Sequence, residues 1–262
     1  MSDNNVLFEQ RDGIAWLTLN DPKTKNALSS AMIVAMRAWI KKAAAEARVL
    51  VLTGAGGAFC TGANLAPGAG LADEAGTADA GKALESHFNP LMRDLRSLPL
   101  PLVTVVPGVA AGFGVALALC GDMVLCSDDA SFIQAFARIG LVPDGGTASL
   151  LVGAVGRVRA TELMYLGEPL SARRALDWGL VNRVEEPAAL TGVAEQLAAR
   201  LASGPTRALG LTRRLVWSVP ERSHDEMLEL ERMLQAEAGC TLDFAEGVAA
   251  FREKRPPRFQ GK

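Results

Sequence analysis

The chain has 262 residues, a formal net charge of -2, 49% hydrophobic residues and 21% charged ones. That length and apolar content allow a sizeable core in one domain, or a domain with an appendage. The slightly acidic balance argues against a broad nucleic-acid surface, and no apolar run is long enough to span a bilayer. Met1 to Asn5 are polar and lack the layout of a signal peptide. Cys60, Cys120, Cys126 and Cys240 show no C-x-x-C spacing, and three of them sit in apolar segments. Buried free thiols in a reducing cytoplasm are the expectation. With His87 and His224 as the only histidines and no H-x-x-x-H pair, no metal site is expected.

In chain order, the apolar runs Ile14 to Leu19, Val49 to Thr53, Leu102 to Val106 and Met123 to Ser127 read as buried strands. Helical patterns lie between them. Ser29 or Ser30 can cap a helix through Met32, Met36, Trp39 and Ile40. Asn89-Pro90 starts another, with Leu91, Leu95 and Leu98 on one face. Ala66 to Lys82 mixes alanines with Pro67, Gly68, Gly70, Gly76 and Gly81; it reads as a mobile lid near a site or as a surface loop. From Pro187 onward Leu190, Val193, Leu197, Leu201, Met227, Leu230, Met233 and Leu234 keep helical spacing. The alternation predicts an α/β fold with parallel strands. It also predicts a division into a core over 1–186 and a C-terminal helical region over 187–262.

Two glycine-rich segments follow strands. Phe59-Cys60-Thr61-Gly62-Ala63-Asn64-Leu65 comes after Val49 to Leu52, and Gly108 to Gly114 comes after Leu102 to Val106. Backbone N–H groups at strand ends and helix starts point outward with partial positive charge. Two that converge make a hole for an oxyanion, although such glycines also serve tight packing alone. Gly54-Ala55-Gly56-Gly57 lacks the spacing of a dinucleotide loop, and there is no G-x-S-x-G for a serine hydrolase.

The ordered set of motifs resembles the enoyl-CoA hydratase/isomerase (crotonase) superfamily. It comprises Leu19 to Leu28, Phe59 to Leu65, Pro107 to Gly114, Asp122 to Ser127, Ile139 to Thr147, Ala175 to Val181 and Phe251 to Pro256. The likeness spans nearly the whole chain. It implies a crotonase-like (ClpP/crotonase) spiral of ββα units with a C-terminal helical trimerisation region, assembled as a homotrimer or as a hexamer of paired trimers. It implies a cytoplasmic enzyme acting on acyl-CoA thioesters, with no cofactor beyond the coenzyme A of the substrate and no nucleic-acid or membrane partner.

By the same resemblance, the N–H groups of Ala63 and Phe113 form the oxyanion hole. Relatives mostly have glycine where Phe113 stands, so its ring is expected to narrow the acyl pocket or displace the donor. Coenzyme A is expected against Lys23, Lys25 and Ala27, and against Phe251, Lys254 and Arg255 of the C-terminal motif, which in relatives often reach across a subunit boundary. The acyl pocket takes in Phe136 and Leu141. The hydratases of the family use two glutamates; Ala116 and Phe136 occupy those places here, and neither can transfer a proton. Asp144 stands where isomerase-like relatives carry an aspartate, and one base suffices for a 1,3-proton shift. Asp144 also has the sequence position of an N-cap for the next helix, which would lower its pKa. Asn64, where an aspartate is usual, is expected to hydrogen-bond its own loop. His87 reads as a lone surface-helix histidine. The expected activity is Δ3,Δ2-enoyl-CoA isomerase-like with Asp144 as base. The alternatives are a hydratase with atypical water activation and a non-catalytic acyl-CoA-binding homologue.

Overall fold

A computed structural model describes residues 5–66, 69 and 80–262. The expected lid or loop between Ala66 and Lys82 lies mostly outside the described residues. β1 (Val6–Arg11) and β2 (Ile14–Leu19) form an antiparallel hairpin. Asp12 and Gly13 at its turn both have positive φ, 52° and 75°, as a type I′ hairpin turn requires. The chain then enters α1 (Ser30–Glu46), which Ser29 caps by accepting the Met32 N–H at 3.3 Å. Met32, Ile33, Met36 and Ile40 form its buried stripe.

After α1 the chain repeats a unit of one long strand, one short strand and a helix. β3 (Val49–Gly54) and β4 (Ala58–Cys60) begin the first. Its described helical part is α2 (Ala80–Ala83), continuing through a π-helical turn, Leu84–Phe88, into α3 (Asn89–Arg96). The second is β5 (Leu102–Val106), β6 (Val109–Ala111) and α4 (Phe113–Leu119). The third is β7 (Met123–Ser127), β8 (Ser131–Ile133), a 3-10 turn over Ala135–Ile139 and α5 (Thr147–Leu166), which breaks at Gly156. β9 (Leu170–Ser171), α6 (Ala172–Asp177) and β10 (Arg183–Glu185) close the series.

The long strands share one sheet in the order β1-β2-β3-β5-β7-β10, parallel from β2 onward. The short strands make a second sheet, β4-β6-β8-β9. Each turn of the spiral therefore gives one strand to each sheet. The long strands are buried on both faces, which explains their uninterrupted apolar character. One face meets α1, α3 and α4. The other is covered by α7 (Pro187–Ala202), whose Leu190, Ala194, Leu197 and Ala198 pack on Val49, Val51, Val103, Val105 and Leu125. The first helix past residue 186 is thus a wall of the core.

α8 (Thr206–Ser218), α9 (His224–Gly239) and α10 (Leu242–Glu253) lie beyond it. Arg213 of α8 is buried and binds the spiral. Its guanidinium donates to Asp122 Oδ2 at 2.8 Å, to the Arg96 carbonyl at 2.5 Å and to the Cys120 carbonyl at 3.4 Å. Cys60, Cys120 and Cys126 are buried free thiols and Cys240 is exposed. Burial pushes the three buried thiols up to about 12, which leaves them inert at neutral pH. No helix among the described residues is long and apolar enough to cross a membrane, and no group of three potential metal ligands occurs among them.

Candidate active site

The site forms where β4 and β6 end. Three side chains hold the first glycine segment against the early loop 21–28. Asn26 is fully buried with a left-handed φ of 61°. Its Nδ2 donates to the carbonyls of Ala55 and Ala58 at 3.0 and 2.9 Å, and its Oδ1 accepts the Asp21 N–H at 2.8 Å. Thr61 Oγ1 donates to the Thr24 carbonyl at 3.0 Å, and Thr24 Oγ1 in turn accepts the Ala27 N–H at 3.2 Å. Leu28 and Ala63 then pair as a parallel bridge. In it the Leu28 N–H donates to Gly62 at 2.7 Å and the Asn64 N–H donates to Leu28 at 2.9 Å. The bridge uses the carbonyl of Gly62 and the N–H of Asn64, the groups on either side of Ala63, and leaves the N–H of Ala63 itself unpaired. Asn64 Oδ1 accepts the Ala66 N–H at 3.0 Å, the loop-stabilising role expected of it.

The second donor lies beside the first. Gly62 has φ +92°, and a Cβ built on it would stand 3.0 Å from the Ala111 carbonyl oxygen and 3.3 Å from the Phe113 nitrogen. Only glycine allows the two chains this approach. Phe113 opens α4, so its N–H has no acceptor within the helix. Among the described residues neither the Ala63 nor the Phe113 N–H reaches a protein acceptor. Such a pair can hold one oxygen that gains negative charge without reorganising.

The Phe113 ring does not stand open over the donors. It is buried and meets Phe88 edge-on, with centroids 4.6 Å apart and planes at 62°. Phe136 is buried, and its ring edge lies 3.7 Å from the position of a Cβ on Gly112, next to the second donor. Leu141 is linked to it through its N–H, which donates to the Phe136 carbonyl at 3.0 Å. Leu141 itself is exposed on the rim.

Asp144 differs from its sequence-based reading in one respect. Its carboxyl does not cap α5. Gly145 and Gly146 both take left-handed φ, 62° and 78°, and Gly146 fills the N-cap position without a side-chain bond. Thr147 instead returns its N–H and hydroxyl to the Asp144 carbonyl, at 3.0 and 2.6 Å. The carboxyl is left half-buried, and its Oδ1 is enclosed without a hydrogen-bond partner. Burial raises its pKa from an ordinary 3.8 to about 6, opposed only in part by its own N–H. A cap would have lowered it. Ala116 and Phe136 offer no second acid.

Lys23 and Lys25 are exposed on the early loop, four and two residues before the buried Ala27, which precedes the Leu28–Ala63 bridge. The C-terminal motif is elsewhere in the same chain. Phe251 is 85% exposed, and Lys254 ends α10 in a left-handed conformation. The tail beyond them is fastened to Arg48, which donates to the Phe259 carbonyl at 3.2 Å and to the Gly204 carbonyl at 2.6 Å. Arg48 precedes β3, whereas Ala63 follows β4. Arg255 is occupied by Glu246 and Glu253, both at 2.6 Å. His87 is half-buried beside Ser86, with Nδ1 and Oγ 2.7 Å apart. Asn26 lies within the Leu19 to Leu28 segment, where the motif gives it no individual role. Its signal was an asparagine next to a run of loop-forming polar residues, a residue type that tolerates positive φ and bonds backbone.

A spiral of strand pairs, one strand of each in the long sheet and one in the short, with an outer set of C-terminal helices, defines the class of fold. The sequence profile of the enoyl-CoA hydratase/isomerase family matches residues 9–262, and the chain belongs to that family. It is 41% identical over 259 residues to 1,2-epoxyphenylacetyl-CoA isomerase of Escherichia coli, covering 98% of both chains. It is 33% identical over 264 residues to trans-2-decenoyl-[acyl-carrier-protein] isomerase of Streptococcus mutans, covering all of both. The solved structure of an enoyl-CoA hydratase from Bacillus anthracis superimposes with a TM-score of 0.91 at 28% identity, over 99% of this chain and 100% of the other.

Proposed function

We propose that the protein is an acyl-CoA isomerase of the Δ3,Δ2-enoyl-CoA type. The observation that carries this reading is Asp144, a lone desolvated carboxyl with a pKa of about 6 and one oxygen without a partner. A general base works best with a pKa near the operating pH. The ionised carboxylate takes a proton from C2 of a 3-enoyl thioester. The electron pair left on C2 delocalises onto the thioester oxygen, which accepts from the N–H groups of Ala63 and Phe113, and the C3–C4 double bond, conjugated with that enolate, supplies the pair that binds the proton at C4 as the carbonyl re-forms. The same proton returns to C4, leaving the double bond at C2–C3. The places of the two hydratase glutamates hold Ala116 and Phe136, so no second carboxylate activates water.

Coenzyme A lies along Lys23, Lys25 and Ala27, and Phe251 and Lys254 reach it from a neighbouring subunit of a trimer or hexamer. The exposure of the Phe251 ring, 85%, is what supports a role for it outside its own chain. No cofactor is needed for the proton shift. The relative acting on 1,2-epoxyphenylacetyl-CoA makes that thioester a second substrate to test.

The test is turnover of 3-enoyl-CoA, 2-enoyl-CoA and 1,2-epoxyphenylacetyl-CoA by the wild type and Asp144→Asn. Isomerisation that falls by about 10²–10⁴-fold in the variant is expected. Hydration of 2-enoyl-CoA that survives Asp144→Asn would instead indicate a hydratase with another way to activate water. Tight thioester binding without turnover would indicate a non-catalytic protein.

A further inference from the structure

The residue that contributes the second N–H donor also carries a buried ring, and that ring touches the loop of the base. A Cβ built on Gly145 would stand 2.8 Å from Phe113 Cε2, 2.9 Å from Phe113 Cδ2 and 2.9 Å from Ala116 Cβ. Gly145 is therefore pressed onto the ring and onto the methyl group of Ala116, and Asp144 is the residue before it. The other side of the ring is fixed edge-on by Phe88. From the far side, Thr147 anchors the Asp144 carbonyl with two hydrogen bonds.

We propose that the Phe113 side chain is a positioning residue that sets the Asp144 carboxyl against the substrate, and that its packing denies a glutamate at position 116 the space to act. This rests on Asp144 being the base. Phe113, Ala116 and Gly145 fill one volume between them. A small residue at 113 leaves a void under the loop. A long one at 116 drives Gly145 away, because its left-handed backbone is seated on the ring. The replacement of the hydratase carboxylate and the presence of phenylalanine are thus one packing solution, in which a phenyl ring and a methyl group hold the base in place.

The charged groups around this loop do not provide an alternative account of its ionisation. α4 carries no titratable side chain. Arg93 and Arg96 of α3 line a cavity of about 240 Å³ bounded also by Gly145, Gly146 and Cys120. Arg96 is paired with Glu221, and Arg138 of the preceding 3-10 turn donates to the Gly167 carbonyl at 2.6 Å. Burial, not any of these charges, sets the direction of the Asp144 shift.

The experiment is kcat, KM and the pH profile of kcat/KM on 3-enoyl-CoA for wild type, Asp144→Asn, Phe113→Leu, Phe113→Ala and Ala116→Glu, with thermal melts of each. All keep the residue-113 N–H. If Asp144→Asn isomerises as fast as wild type, the assignment of the base fails, whatever the other variants do. With that assignment standing, Phe113→Ala is expected to lose kcat on the order of 10²-fold, the effect of misplacing a group by about 1 Å. Its KM should change little, and its acid limb should move from about 6 toward the ordinary carboxylate range as water enters. Phe113→Leu, which keeps most of the apolar volume, should recover most of both, and it carries the test if Phe113→Ala does not fold. Ala116→Glu should lose isomerisation without gaining hydration of 2-enoyl-CoA. A folded Phe113→Ala or Phe113→Leu with wild-type kcat and acid limb overturns the proposal. So does a folded Ala116→Glu that isomerises at the wild-type rate.

Discussion

The part of the spiral where β4 and β6 stop and the helices beyond α7 are held together by different means. Around Ala63 and Phe113 the fastenings are neutral: the amide of Asn26, the hydroxyl of Thr61, the Leu28–Ala63 bridge and the edge-on rings of Phe88 and Phe113. Beyond α7 they are ionic. Arg213 binds Asp122, Arg207 binds Glu237 and Arg255 binds Glu246. An active site that must stabilise charge arising only during reaction gains from fixed dipoles and from the absence of standing counter-ions. The outer helices have narrow apolar stripes, so guanidinium forks attach what burial alone does not. The contrast separates the region proposed for chemistry from one held by ionic attachment, and substitutions should affect one without the other.

The largest effect is expected where the attachment is buried. Arg213→Ala leaves Asp122 with the Leu102 and Trp217 N–H groups but without its cation, and the carbonyls of Arg96 and Cys120 without the guanidinium. Removing one member of a buried pair costs about 3–5 kcal/mol. Chemical denaturation should show that loss, while kcat of the remaining folded enzyme stays near wild type. A fall in kcat with unchanged stability would mean that the two regions are not separate. Gly62→Ala is the converse. Its new methyl group meets the Ala111 carbonyl and strains a backbone at φ +92°. Prying the two donors apart should lower kcat by about 10²–10³-fold, the loss seen when one oxyanion donor is removed. KM for the thioester should move much less; an unchanged kcat would show that the donors are not used.

How much of this was readable beforehand depended on the kind of interaction. β2, β3, β5 and β7 are unbroken apolar runs because both faces are covered, so composition alone marked them. β4, β6 and β8 are three residues each, too short for any period to show, and they exist only because successive turns of the spiral stack. The glycine segments marked tight turns after strands, but only the family resemblance pointed to Ala63 and Phe113 as donors, since a backbone donor needs no particular side chain. Asp144 was legible as a candidate base but not in its surroundings. Pro143-Asp144-Gly145-Gly146-Thr147 has the form of a helix cap, and only the two left-handed glycines turn the carboxyl away from that duty. The direction of the Phe113 ring is likewise a tertiary matter, decided by Phe88 and Gly145, which are distant from it in the chain. α7 carried a clear helical period, yet nothing in the period said that its stripe would seal the main sheet.

The smallest of these effects is a gain in stability, and it tests whether the neutral region keeps one unfavourable charge for its work. Asp144 is raised from 3.8 to about 6 by burial. The folded state therefore holds the proton more tightly than the unfolded chain does. Between about pH 4 and 6 the unfolded chain has released it and the folded one has not, so stability falls as pH rises through that window. Above about 6 the whole cost is present, roughly 2–3 kcal/mol for a shift of this size; below about 4 it is gone. Asp144→Asn has no such cost. Its stability relative to wild type should rise by up to that amount at pH 7.5 and shrink toward zero at pH 4, when other carboxylates titrate alike in both proteins. The same substitution removes the proposed base, so the gain in stability should come with the loss of isomerisation. Equal stabilities of the two proteins at pH 7.5 would mean that the carboxylate is better solvated than its enclosed Oδ1 indicates. The limb near pH 6 would then be absent from the activity profile as well.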